Sequence, residues 1–112
     1  MNAIQTSVVT VVHLLVVGEY DVIESMTHGV RLSAQELRGA VESYGRTLIE
    51  LPESELDGLD VVTVEGASVP TLSVVVDLWT EEEGKSDLSL ELMLIDRYGG
   101  AYEVQVSDLH VL

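Results

Sequence analysis

The chain has 112 residues, with twenty acidic side chains against five basic ones, a formal charge of −15 and no cysteine. Without cysteine there is no thiolate nucleophile, no disulfide and no cysteine-ligated zinc. The charge repels nucleic-acid phosphates and anionic lipid and favours a basic protein partner instead.

The length fits one domain over residues 1–112, large enough to bury roughly two-thirds of the surface of its unfolded chain. An apolar run covers residues 8–17, but no Lys or Arg precedes it, and Thr10 and His13 interrupt it. A membrane span needs about 20 apolar residues and a signal peptide a basic start. The expectation is a cytoplasmic protein with no membrane contact.

In chain order, the first element is rich in β-branched valines, which favour strand on propensity. Its spacing favours helix: Ile4, Val8, Val11, Val12 and Leu15 recur at helical intervals, and Gly18 is placed to end it. A second short helix is predicted over residues 19–26, with Val22, Ile23 and Met26 on one side and His28-Gly29 closing it. Ser33-Ala34-Gln35-Glu36 is a capping box that opens a third helix. Leu37, Ala40, Val41 and Tyr44 form its buried stripe, Gly45 stops it, and Gly39 is read as a point of close packing against a sheet. Residues 47–51 are a candidate short strand, 52–58 an acidic turn, and 59–65 a strand with Val62 and Val64 on one face.

The last third alternates with period two. Leu72, Val74, Val76 and Leu78 share one face of a strand, Leu88, Leu90, Leu92 and Leu94 a face of the next, and Tyr102, Val104 and Val106 a face of the third. Treating residues 81–87 as a polar loop sets Asp77 near Glu91 and Trp79 near Ser89. A turn at Arg97-Tyr98-Gly99-Gly100 places Leu94 beside Tyr102. Near Ser107-Asp108 the alternation flips, which predicts a bulge. The fold class is α+β: two or three N-terminal helices packed on one face of a curved antiparallel meander of three to four strands.

The block Leu78-Trp79-Thr80-Glu81-Glu82-Glu83-Gly84-Lys85, continuing through residue 92, resembles a small family of uncharacterised bacterial proteins. So do Arg31-Leu32-Ser33-Ala34-Gln35-Glu36-Leu37 and the ending Ser107-Asp108-Leu109-His110-Val111-Leu112. The likeness spans most of the chain and implies no activity. More remotely, helices followed by a meander are similar in topology to the cystatin-like or NTF2-like fold, which implies a pocket between concave sheet and helices but no shared activity.

Chemistry-bearing patterns are sparse. Asp77, Glu91 and Glu103 fall on the polar parity of neighbouring strands, where carboxylates could hold a cation or share a proton, yet polar residues are also the default there. His13, His28 and His110 lack metal-ligand spacing, and neither a nucleophile elbow nor a phosphate loop occurs. No metal or other cofactor is expected. Val75, Trp79, Met93 and Ile95 sit on the outward parity with Asp77 and Glu91, so these six are interface candidates. The other reading of that face is cover by the first helix or a loop.

The function expected is that of a small acidic non-catalytic binding protein, an immunity-type neutraliser of a basic partner or a homodimer through the sheet face. The alternative is an NTF2-like pocket domain for a small apolar molecule, lined by His13, Tyr44, Tyr102 and His110.

Overall fold

The computed structural model describes residues 1–97, 99 and 101–112. The expected turn at residues 97–100 includes Tyr98 and Gly100, which lie outside the described residues.

Helix α1, Ala3–Val16, opens on a reciprocal cap. The Asn2 side chain accepts the Gln5 N–H at 2.8 Å, and the Gln5 side chain accepts the Asn2 N–H at 3.0 Å. Val8, Val11, Val12 and Leu15 are buried along one stripe. Burial of that stripe overrides the strand preference of the valines. The chain leaves through Gly18 at φ 76°.

Helix α2, Tyr20–Thr27, buries Tyr20, Ile23 and Thr27, while Val22 faces solvent and Met26 is half-buried. The buried stripe is thus rotated from the predicted one. His28 ends the helix in the left-handed region. Helix α3, Ala34–Tyr44, carries the predicted capping box, with Glu36 N–H to Ser33 Oγ at 3.2 Å and Ser33 N–H to Glu36 Oε1 at 3.0 Å. Leu37 is fully buried; Ala40, Val41 and Tyr44 pack half-buried against the core. Gly39 departs from expectation, being exposed with no atom within 4 Å of where a Cβ would stand.

Among the described residues five strands follow: β1 Leu48–Ile49, β2 Asp60–Thr63, β3 Thr71–Thr80, β4 Gly84–Ile95 and β5 Glu103–Val111, with a 3-10 turn at Glu53–Gly58. All pairings are antiparallel. Strand β3 has β4 on one side and, on the other, β2 along its start and β1 along its end; β5 closes the far edge. The architecture is α+β, helices on one face of an open antiparallel sheet.

The core is the inward face of the meander under the three helices. Leu78, Leu88, Leu90, Leu92, Leu94, Val74 and Val106 meet Val8, Val11, Leu15, Ile23 and Leu37, each at most 2% exposed. At about 25 cal/mol per Å² of apolar area, this interior is the main source of stability.

The β3–β4 register differs from the predicted one. Strand β4 already begins at Gly84, and Asp77 pairs with Ser89 while Trp79 pairs with Lys85. The shift is a bulge in β4 closed by a hydroxyl. Ser86 Oγ donates to the Leu78 carbonyl at 2.6 Å and accepts the Leu88 N–H at 3.2 Å. The acidic hairpin tip is also no free loop. Glu82 accepts the Thr47 N–H at 2.8 Å and its hydroxyl at 2.9 Å, and Glu81 N–H donates to the Thr47 carbonyl at 2.8 Å. The Tyr44 hydroxyl lies 2.9 Å from both Glu83 carboxylate oxygens and accepts the Asp87 N–H at 3.2 Å. These bonds tie the tip to β1 and to the end of α3.

In the last hairpin, Leu94 pairs with Val104 rather than Tyr102, which precedes β5. The predicted bulge is present: Val106 faces Leu92 and Asp108 faces Glu91, leaving Ser107 extra.

Candidate functional site on the outward sheet face

Successive side chains on β3, β4 and β5 alternate between the helix-covered face and the opposite one. Val75, Trp79, Met93 and Ile95 point away from the helices: none joins the core cluster or packs against it, although Ile95 is only 9% exposed. The helices cover the inward face, so α1 does not wrap the outward one; part of that face is nonetheless covered within the chain, with Ser89 at 1% and Ile95 at 9% exposure.

The register arranges this face in rows. Asp77, Ser89 and His110 form one row across β3, β4 and β5; Val75, Glu91 and Asp108 form the next; Thr71, Ile95 and Glu103 lie further along. Residues directly opposite have Cβ atoms about 4.5–5.5 Å apart. Asp77 therefore borders Ser89, and Glu91 directly faces Asp108. Lys85 Nζ lies 3.8 Å from Asp77 Oδ2, and His110 Nδ1 lies 3.0 Å from Asp108 Oδ2. Asp108 Oδ1 accepts the Leu109 N–H at 2.9 Å. Glu103 forms an ion pair with Arg97.

Glu91 has no hydrogen-bond or ion-pair partner among the described residues. Three buried polar atoms on these strands also lack one: Trp79 Nε1, Ser89 Oγ and Ser107 Oγ. Unpaired buried donors and acceptors are rare in folded proteins and each costs about 1–3 kcal/mol.

The chain belongs to the DUF7668 family. That family is described as a domain of unknown function, and its model matches residues 12–112. The match includes every strand and every residue of the outward face, in keeping with the expected likeness to an uncharacterised family. No curated protein and no solved structure matches the chain significantly.

The DUF7668 domain does not bring the four pocket candidates together. Tyr44 and His110 line a groove of about 290 Å³ with Ala40, Leu88 and Leu109, between α3 and the β5 edge. Tyr102 lines a separate hollow of about 530 Å³ beside Leu72 and Asp96. His13 is exposed, with Nδ1 3.5 Å from Glu50 Oε1. Among the described residues no group of three or more His, Asp or Glu side chains is placed to hold a metal ion. No described helix is long and apolar enough to cross a membrane.

Sequence reasoning puts the six candidates on the outward parity, where the structure has them, and puts Ser89 there as well without counting it among the candidates. Its position in Leu88-Ser89-Leu90-Glu91 gave the parity; the bulge at Ser86, which sets its neighbours, left no apolar signature.

Proposed function

We propose that this DUF7668 domain is a non-catalytic binding protein that takes a basic protein partner on the outward face of its sheet. One observation carries the reading: the half-buried Val75, Trp79 and Met93 and the buried Ile95 lie outside the helix-covered cluster, on a face shared with Asp60, Asp77, Glu91, Glu103 and Asp108. Apolar and carboxylate side chains are interleaved across this face, the acidic rows lying between Trp79 on one side and Met93 and Ile95 on the other; protein interfaces mix apolar and polar groups in this way, and Trp is enriched among residues that dominate binding energy. A formal charge of −15 adds long-range steering of a cationic partner. Neutralisation of a basic enzyme, as an immunity-type protein performs, fits this size and charge. Pairing of two copies through the same face sets Asp77, Glu91 and Asp108 against like charges, so a different, basic chain is the favoured occupant.

The test is copurification from the native host at low and high salt, with wild type beside Val75→Arg. A basic protein should be retained by wild type, weakened by salt and lost with Val75→Arg, while both forms show the same far-UV spectrum and run as monomers in light scattering. A partner that Val75→Arg retains in full places binding elsewhere, and no basic partner at either salt sinks the reading.

A further inference from the structure

The outward face holds a local conflict that the fold does not resolve by itself. Glu91 and Asp108 face each other directly across β4 and β5, and Asp77 stands diagonally beyond, next to Ser89. Like charges directly opposite in a sheet are destabilising. Asp108 is partly relieved by His110 and by the Leu109 N–H. Asp77 has Lys85 at 3.8 Å. Glu91 is half-buried and has neither relief.

A second observation is independent of charge. Ser89, between Asp77 and His110 on the same face, is only 1% exposed, and its Oγ has no partner. A buried hydroxyl on the same face as the unpartnered Glu91 carboxylate, two residues away on β4, is a polar group that the chain itself leaves unsatisfied.

We infer that the Asp77–Ser89–Glu91–Asp108 patch is the seat of one cationic side chain of the partner, a guanidinium or an ammonium group. This inference rests on the basic-partner reading above and names its anchor. The incoming cation lies between Glu91 and Asp108, turns their repulsion into two charge-assisted contacts and draws Ser89 Oγ into the same network. A guanidinium fits better than an ammonium, because its planar fork can serve two carboxylates at once. An inorganic cation is the lesser occupant, since these groups are not placed as a metal-ligand set.

The experiment titrates the isotope-labelled domain with a hexa-arginine peptide at low salt and follows backbone amide shifts. Wild type is compared with Glu91→Gln and with Glu53→Gln, which removes the same charge from the exposed 3-10 turn. Largest shifts should fall at Ser89, Glu91 and Asp108. Glu91→Gln should weaken the peptide about tenfold, and Glu53→Gln less than about twofold. Glu91→Gln should at the same time melt about 1–3 °C higher, because it removes the like-charge pair. That combination separates a lost anchor from a damaged fold.

Equal losses in the two variants overturn the anchor and leave a diffuse basic-partner reading standing. No peptide binding by wild type removes both. A Glu91→Gln protein that melts lower overturns the conflict on which the anchor is built, and the same amide shifts with magnesium ions alone assign the patch to an inorganic ion.

Discussion

The two faces of β4 differ more sharply than any two segments of the chain. Toward the helices, Leu88, Leu90, Leu92 and Leu94 are at most 1% exposed and meet an apolar stripe from each helix. Away from them, Ser89, Glu91, Met93 and Ile95 mix hydroxyl, carboxylate and apolar groups, with Ser89 Oγ unpaired. The inward face is chemically uniform because only close packing is asked of it. The outward side of these strands carries polar groups left unpaired, each of which costs the fold free energy. Stability thus rests on the inward residues, and the proposed binding role falls to the alternate residues of the same strands.

The largest expected effect tests that division with two neighbours. Leu92→Ala empties a fully buried site and should cost about 2–5 kcal/mol in urea unfolding. That is a large share of the roughly 5–15 kcal/mol typical of such domains. Met93→Ala, one residue on and outside the core, should cost about 1 kcal/mol or less. Comparable losses for the two would mean that the outward face is itself a packed core.

A smaller effect concerns the bulge that sets which residues meet on the outward face. Ser86→Ala removes the hydroxyl that bridges the Leu78 carbonyl and the Leu88 N–H, leaving both buried groups without it. It should cost about 1–3 kcal/mol. Amide exchange at Leu88 should rise more than at Leu94, which lies beyond the bulge. Uniform acceleration along β4 would show that Ser86 does not hold the register.

These residues also show how far the sequence is legible. Ser33 and Glu36 announce the third helix because a cap is a local bargain between residues three apart. The alternating leucines announce the sheet for the same local reason. The spacing of Val8, Val11, Val12 and Leu15 overruled valine propensity, since burial of a stripe outweighs a few tenths of a kcal/mol per residue. Registers were not legible. Ser86 looks like loop, but its hydroxyl stands in for a ladder bond, and Glu82 and Glu83 look solvated while they hold Thr47 and Tyr44, more than thirty residues away in sequence. The outward parity of Asp77 and Glu91 was therefore readable, whereas their neighbours, Ser89 and Asp108, depended on two bulges.

Gly39 sharpens the contrast from the helical side. A Cβ there meets nothing within 4 Å, so Gly39→Ala should fit without displacement and stabilise the domain by about 0.5–1 kcal/mol, through better helix propensity and a less flexible unfolded chain. A raised urea midpoint with unchanged slope checks it. Destabilisation would restore the close-packing role that the structure denies this glycine.

The smallest effect is a pH dependence at the hairpin tip, where a charge serves the fold rather than a partner. The Glu82 carboxyl is held below its ordinary value of 4.5, first by the Thr47 N–H, with its own N–H and the Thr47 hydroxyl adding to this and Arg46 contributing weakly. A carboxylate whose folded-state value is depressed contributes fully above its unfolded value, and the contribution fades as pH falls through the lower folded value. Glu82 is exposed, so solvent keeps the effect small. Wild type should therefore be more stable than Glu82→Gln at pH 6, and the gap should close as pH falls below the ordinary carboxylate range and through the lower folded-state value. Glu91→Gln should behave oppositely at pH 6, being more stable than wild type, because its carboxylate opposes Asp108 where that of Glu82 is met by donors. If both variants shift the urea midpoint in the same direction at pH 6, the acidic residues of tip and face have no separate roles.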